Sequence, residues 1–465
     1  MEERSLEFVT QACGGTLLSG SPELMCGRVC TDSRSVKKGD LFFAIAGERF
    51  DGHEFLGEAG RKGAVAAVVE GKRQPRVMPE CGLIAVENSR KALGRLGARY
   101  RRDFEIPVIA VAGSNGKTTT KELVASVLKQ KFKTLYSESS FNNDIGVPST
   151  LLKLAVEHEA AVLEVGTNHP GELGPLVEMI RPQMGVITSI GREHLEFFGN
   201  LEGVAREEGR LAEMLPATGK LFLNGEDPLC ARIAHRSAAQ VAYVGFQRNH
   251  QWRAENPRGD KQGTAFVVKT SRSAFEGEYR VNLLGRHQVI NALFAIAIGC
   301  ELGLTRAEIE RGLAACRAPK LRLQLWEFNG LCVLDDTYNA NTDSVAAALQ
   351  TLKDFPCKGR RVAVLGDMAE LGVHSEAAHE EIGRRAAESG VGQLFSVGKW
   401  ASIVARGARD AGLTRVIEFA DVETAALAIR SFVKPGDALL LKASRASRLE
   451  RVGDLLRGTE NSRKN

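Results

Sequence analysis

An apolar run, Ile106-Pro107-Val108-Ile109-Ala110-Val111-Ala112, leads directly into Gly113-Ser114-Asn115-Gly116-Lys117-Thr118-Thr119-Thr120, and that junction constrains the chain more than any other stretch. The order reads as strand, phosphate loop, helix. Glycines let the backbone turn its N–H groups inward and the new helix offers the positive end of its dipole. Lys117 can then reach outer phosphates, and the Thr118 hydroxyl is placed for Mg²⁺. Val111 stands at the first glycine position of GxxxxGK[ST], so only the second half of that motif is matched. The competing reading, a glycine turn that merely closes a strand-helix corner, is weakened by the buried strand before it and Gly-Lys-Thr-Thr at the helix start. The expectation is a nucleoside triphosphate site on Gly113, Ser114, Asn115, Gly116, Lys117, Thr118 and Thr119.

A chain of 465 residues is long enough for about three domains at roughly 100–200 residues each. Hydrophobic residues at 43%, charged residues at 26% and a net charge of +5 fit a globular enzyme and give no argument for nucleic acid or a membrane surface. No apolar run approaches the roughly 18 residues of a membrane span, and Met1-Glu2-Glu3-Arg4-Ser5 lacks the start of a signal peptide. A cytoplasmic monomer without membrane insertion is expected. The nine cysteines are odd in number and scattered, Cys26 and Cys30 being the nearest pair, which predicts reduced and mostly buried thiols.

Residues 1–102 mix short strands, clearest at 64–69 and 83–86, with helices, and predict a small α/β domain. Asp32-Ser33-Arg34 within it reads on its own as a capped turn. Residues 103–316 alternate strand and helix, which predicts a mostly parallel central sheet. Its strand at 160–163 ends in Glu164, and the one at 184–190 ends in Gly191-Arg192-Glu193-His194. Ligands gather at the carboxyl edge of such sheets, so Glu164, His194 and the phosphate loop are expected on one rim. Residues 262–284 read as a hairpin with arms at 264–268 and 279–281, and Gly285-Arg286-His287-Gln288-Val289-Ile290-Asn291-Ala292 opens a helix running to about Leu302. The helical pattern stops near Cys316-Arg317-Ala318-Pro319, where the second boundary is placed. Residues 317–465 alternate again, with strands at 332–334, 361–365, 394–397 and 438–441, and predict a third, Rossmann-like α/β domain. The tail 458–465 is polar and reads as disordered.

Asp32-Ser33-Arg34, Gly113 to Thr119, Asn142-Asn143-Asp144-Ile145-Gly146-Val147-Pro148, Glu164, His194-Leu195-Glu196 and Gly285-Arg286-His287 continue into Asp335-Asp336-Thr337-Tyr338-Asn339-Ala340-Asn341, Gly366-Asp367-Met368-Ala369-Glu370-Leu371-Gly372 and Lys442-Ala443-Ser444-Arg445. In order and spacing these stretches resemble the Mur ligases, ATP-dependent enzymes that extend the peptide of the bacterial cell-wall precursor. The likeness covers nearly the whole chain. Its Tyr-Asn-Ala-Asn and Gly-Asp-Met-Ala-Glu-Leu-Gly are similar to the member that adds D-alanyl-D-alanine rather than to the diaminopimelate- or lysine-adding relatives. The resemblance implies that UDP-N-acetylmuramoyl-tripeptide and D-alanyl-D-alanine are joined while ATP becomes ADP and phosphate, with Mg²⁺. It implies Lys117 on the β- and γ-phosphates, Thr118 and Glu164 on one Mg²⁺, and His194 toward a second. His194 rests on the resemblance alone, since Mg²⁺ prefers oxygen. It further implies Asn291, Arg322 and Asp336 at the nucleotide and Asp32, Ser33 and Arg34 in the UDP-binding region. Purely structural roles compete for each, most strongly at Asn291 and Arg322. Lys442, Ser444 and Arg445 follow a buried strand and are candidates for the dipeptide carboxylate, a solvated loop being the competing reading.

Gln288, Ala443 and Thr342 depart mildly from the family pattern, but Glu208 departs in substance. Aligned through Gly203-Val204-Ala205, it stands where the family usually carries a lysine that is carbamylated by CO₂ and helps hold the second Mg²⁺, and no lysine lies between Arg192 and Gly219. Glutamate keeps the negative charge but falls short of the carbamate by about 3–4 Å, against a metal-ligand tolerance of ~0.2 Å. The expectation is an outer-shell anion acting through a bridging water, against a plain surface glutamate on the Arg206-Glu207-Glu208 face. Two other functions compete: another amide ligase of the superfamily, such as a different muropeptide ligase or a folylpolyglutamate synthetase, and an ATP-binding regulatory homologue without ligation.

Overall fold

The computed structural model describes residues 1–47, 50–73 and 79–458, so the tail read as disordered lies outside the described residues from Thr459 onward. Three sheets organise the chain. The first has the order Thr16–Ser19, Gly82–Val86, Ala66–Glu70, Asp40–Phe43, Arg28–Cys30, parallel except at its first pair. The last has the order Gln324–Phe328, Leu331–Asp336, Ala438–Lys442, Arg361–Gly366, Gln393–Val397, Val416–Phe419, again parallel except at its first pair.

Between them lies a nine-stranded sheet in which Val108–Ala112 runs parallel to both neighbours, Ala160–Glu164 and Met184–Ile187. All five residues of Val108–Ala112 are fully buried, the outcome for an uninterrupted apolar strand in a sheet covered on both faces. Ile109 and Val111 pack with the helices Lys117–Leu128 and His287–Glu301, while Val108, Ala110 and Ala112 pack with Leu173–Ile180. This α/β architecture is the one expected.

The expected hairpin forms, with Gly263–Thr270 antiparallel to Gly277–Val281 and Phe266 opposite Tyr279. A further strand, Trp252–Asp260, precedes it and was not legible in the sequence. Its residues are largely polar, include Pro257, and shift register between Glu255 and Arg258, so neither alternation nor an apolar run marks it.

The first and second sheets are joined through the helix Ser89–Arg101. Tyr100, fully buried, donates its hydroxyl to the Leu154 carbonyl at 2.7 Å and accepts the Glu2 N–H at 2.6 Å, while Arg101 donates to the Ile180 carbonyl at 3.0 Å. Tyr100→Phe leaves two polar groups of this junction unpaired and is expected to cost about 1–3 kcal/mol, read as a lower urea midpoint with an unchanged slope.

The connection to the third sheet is bent. Leu321 and Leu323 both have left-handed backbone, φ 61° and 50°. The Tyr338 N–H donates to the Leu321 carbonyl at 3.0 Å, and the Leu323 N–H donates to Asp336 Oδ1 at 3.0 Å.

Candidate active site

The phosphate loop turns on two glycines with positive φ, Gly113 at 109° and Gly116 at 90°. A Cβ at Gly113 would stand 2.5 Å from Thr188 Oγ1 and one at Gly116 2.8 Å from Asn291 Oδ1, so neither position admits a side chain. The N–H groups of the first half of the loop are already engaged: Gly113 donates to Glu208 Oε2 at 2.7 Å, Ser114 to the Ser189 carbonyl at 2.8 Å and Asn115 to Ser189 Oγ at 3.0 Å. The helix that follows opens at Lys117 without a side-chain cap. Its first-turn N–H groups, at the positive end of its dipole, therefore offer a cradle suited to an anion.

Lys117 is the cation of this cradle. Its Nζ contacts the Gly113 carbonyl, lies 3.3 Å from the Ser114 carbonyl and 3.4 Å from Glu193 Oε2, and its side chain is 13% exposed. Burial works against the ammonium, but Glu193, Glu208 and Glu164 outweigh it and hold the pKa above the ordinary lysine value. Glu164 ends its strand in a buried position. Oε1 accepts Asn142 Nδ2 at 2.9 Å, whereas Oε2 is buried without a partner among the described residues. The Thr118 hydroxyl lies 3.3 Å from Ser140 Oγ, which accepts Arg322 Nη2 at 3.1 Å. Lys121, fully buried one turn into the helix, donates to the carbonyls of Ser137 and Ser139 at 2.7 and 3.1 Å and so fixes the loop that carries Ser140 and Asn142.

From the third sheet's side, Asp336 Oδ2 lies 2.7 Å from Lys442 Nζ, which also donates to the Asn339 carbonyl at 2.9 Å. The Arg322 guanidinium lies 4.1 Å over the Tyr338 ring. Asn291 accepts Thr120 Oγ1 at 3.1 Å and donates to Gln288 Oε1 at 2.8 Å. His194 Nδ1 lies 2.6 Å from Glu370 Oε2, and Asn341 Nδ2 donates to Asn115 Oδ1 at 3.0 Å. Burial pushes the His287 imidazole down to about 4, so it is neutral at ordinary pH.

Ser114 to Thr119, Glu164, His194, Asn291, Arg322, Asp336 and Lys442 thus line one cleft of about 1380 Å³, bounded by all three sheet units. That exceeds the roughly 300–1,000 Å³ of a site for one small ligand. The other residues singled out in the sequence lie elsewhere. Asp32, Ser33 and Arg34 form a short turn away from the cleft, Asp32 accepting from its own Arg34, whose side chain is 86% exposed. Ser444 donates to the Asp367 carbonyl at 2.8 Å, and Arg445 pairs with Glu450 at 2.9 Å.

Glu208 is neither on the surface nor in the cleft. It is fully buried behind the phosphate loop, with Oε2 on the Gly113 N–H and Oε1 without a partner among the described residues. Burial pushes its carboxyl up to about 7 against the pull of Lys117. Glu207 beside it is buried too, accepting the N–H groups of Gly171 and Leu173. Sequence reasoning assigned no role to Ser140, Asn142, Glu193, Asn341 or Glu370. Asn142, Asn341 and Glu370 stood in quoted motifs, and Glu193 precedes His194, but nothing in the sequence shows what they touch.

Three family models match the chain: Mur ligase family, catalytic domain, at residues 27–101; Mur ligase middle domain at 111–299; and Mur ligase, glutamate ligase domain, at 321–445. The UDP-N-acetylmuramoyl-tripeptide–D-alanyl-D-alanine ligase of Bacillus subtilis (strain 168) is 32% identical over 455 residues, 97% of this chain and 98% of that one. Among solved structures, MurF from Acinetobacter baumannii superposes with a TM-score of 0.90 at 31% identity, covering 98% of this chain and 99% of that one. MurF from Thermotoga maritima in complex with ADP superposes with a TM-score of 0.81 at 28% identity, covering 93% and 97%.

Proposed function

This chain belongs to the Mur ligase family, and from that premise we propose that it joins D-alanyl-D-alanine to UDP-N-acetylmuramoyl-tripeptide in peptidoglycan precursor synthesis, driven by ATP. The observation that carries the chemistry is the buried, unpartnered Oε2 of Glu164 on the same cleft as Thr118, Lys117 and an uncapped helix start. One free carboxylate oxygen and one hydroxyl fit Mg²⁺, which takes oxygen ligands and shares its shell with phosphates and water. Thr118 and Glu164 would hold one such ion and His194 would face a second. When bound, the ions neutralise charge on the phosphoryl oxygens.

A carboxylate is a poor acylating agent, so the tripeptide carboxylate first attacks the γ-phosphorus and expels ADP, giving an acyl phosphate. The dipeptide amine then attacks the acyl carbon and expels phosphate. Lys117 and the first-turn N–H groups of its helix receive the charge that builds on the phosphoryl oxygens. Asn291 and Arg322 orient the nucleotide from two sides, and Asp336 with Lys442 closes the far wall. Asp32, Ser33 and Arg34 act on the UDP end, away from the phosphates, and of the three candidates for the dipeptide carboxylate Lys442 is the one on the cleft, Ser444 being bonded to the Asp367 carbonyl and Arg445 to Glu450. Glu208 acts on the loop through Gly113 and on Lys117 through its charge, one step removed from the cleft.

The chain divides functionally into 1–102 for the UDP substrate, 103–316 for ATP and 317–465 for the acceptor. The reaction belongs in the cytoplasm, where ATP and UDP-linked precursors are made, and the enzyme works as a monomer. Among the described residues no helix is long and apolar enough to cross a membrane. Incubation with ATP, Mg²⁺, UDP-N-acetylmuramoyl-tripeptide and D-alanyl-D-alanine is expected to give UDP-N-acetylmuramoyl-pentapeptide by mass spectrometry and one phosphate per product. Phosphate release with a folate acceptor instead, or nucleotide binding without acceptor-dependent release, would overturn the assignment.

A further inference from the structure

The segment that follows Met184–Ile187 carries Glu193 and His194 at the cleft, and between it and the third sheet unit stands Arg192, which the chemistry above does not use. Its guanidinium sits in a fork of two carboxylates. Nη2 and Nε donate to Asp343 Oδ1 at 2.7 and 3.2 Å, and Nη1 and Nη2 donate to Glu381 Oε2 and Oε1 at 2.7 and 3.3 Å. The backbone N–H of Arg192 adds a bond to Asp343 Oδ2 at 2.8 Å. The two carboxylates come from different helices, Thr342–Asp354 and Ser375–Glu388, and Glu381 is held from behind by Arg385 at 2.7 Å.

A contact to one carboxylate would let the units swivel about it, whereas two carboxylates on two helices, read by a planar fork, fix rotation as well as distance. The helix bearing Asp343 starts at Asn341, which bonds Asn115 of the phosphate loop. The residues after Arg192 meet Lys117 through Glu193 and Glu370 through His194. Burial works against the Glu381 carboxylate, but Arg192 and Arg385 outweigh it and hold its pKa below the ordinary value, while Asp343 pairs directly with the guanidinium.

We propose that Arg192 is a positioning residue for the ligation reaction: by gripping Asp343 and Glu381 it docks the third sheet unit on the segment that carries Glu193 and His194, and sets Asp336 and Lys442 against the phosphate loop. The proposal rests on the reading of the cleft as the site of nucleotide and substrates. The guanidinium itself does not line that cleft, so its effect runs through the placement of other groups.

The test compares full-length wild type with Arg192→Gln, Arg192→Lys and Glu381→Gln, measuring kcat, KM, binding of a non-hydrolysable ATP analogue, and the radius of gyration by solution scattering. Arg192→Gln is expected to lower kcat by about tenfold or more with a clearly smaller loss of analogue affinity, because the phosphate loop belongs to the central unit and, of the candidate nucleotide contacts, only Arg322 and Asp336 come from the third unit's side. Its radius of gyration should exceed that of the wild type. Arg192→Lys should recover part of kcat, since it keeps the charge and loses the fork, and Glu381→Gln should fall between. Should Arg192→Gln fail to fold, Glu381→Gln carries the test on its own. Unchanged kcat and scattering in both Arg192→Gln and Glu381→Gln would overturn the proposal, as would a loss of analogue affinity parallel to kcat. A wild type that bound no analogue would instead overturn the functional reading, and the scattering comparison would still decide whether Arg192 docks the units.

Discussion

Lys117→Ala is expected to abolish ligation, with a loss of about 10³-fold or more in kcat, or upward of ~4 kcal/mol of transition-state stabilisation. The ammonium stands at the mouth of the uncapped helix, where the proposed reaction would develop charge on the transferring phosphoryl group, and alanine leaves nothing of comparable reach. The variant also strips the counter-charge from Glu193, 3.4 Å away, and from Glu164 and Glu208, which both act on Lys117. The protein should therefore fold, since the strand and helix around the loop are held by apolar packing, but melt at a lower temperature. Acceptor-dependent phosphate release at saturating ATP is the measurement. Wild-type turnover in a folded Lys117→Ala protein would remove the loop from the reaction.

Glu208 carries the second large effect. Its carboxyl is built into the chain behind the loop, on the Gly113 N–H and acting on Lys117 by charge, so activity should be indifferent to removing bicarbonate. Glu208→Gln keeps an oxygen for the Gly113 N–H but sets an uncharged amide near Lys117. Because Glu208 reaches the cleft only through Gly113 and Lys117, the half-saturating Mg²⁺ concentration should rise by about tenfold or more through a displaced loop and lysine, the cost of removing a group that orients the binding residues. Activity lost in CO₂-free buffer and regained with bicarbonate would count against this account, and so would an unchanged Mg²⁺ titration in the variant.

What the sequence made legible was whatever is encoded locally. Val108–Ala112 reads as a doubly covered strand because every one of its side chains is apolar, and Glu164 and His194 fall on the cleft because a parallel sheet sends its strand ends to one rim. Glu208 illustrates what was not. Arg206-Glu207-Glu208 looks like a solvated helix face, yet both glutamates are buried as acceptors for backbone N–H groups 36 and 95 residues away. No periodicity reports a partner at that separation. The same holds for Arg192, whose carboxylates lie 151 and 189 residues downstream. Ser140 and Asn142 reach the cleft because buried Lys121 pins a loop with left-handed backbone at Ser139, φ 49°, a conformation that a Ser-Glu-Ser-Ser stretch does not announce. Trp252–Asp260 joins the sheet against its own composition, since its neighbours supply the hydrogen bonds.

The two left-handed leucines that flank Arg322 bear on protein engineering. Glycine adopts that backbone freely, whereas each leucine stores about 1–2 kcal/mol of strain. A programme that ranks substitutions by heat resistance would favour glycine at 321, whereas at 323 the lost burial of the leucine in the core outweighs the relieved strain. Glycine would also turn a sprung connector into a loose one, and Arg322 would then point toward Ser140 only part of the time. Heat resistance won at 321 would therefore be lost again in turnover, and at 323 none would be won, which marks both as positions to hold fixed.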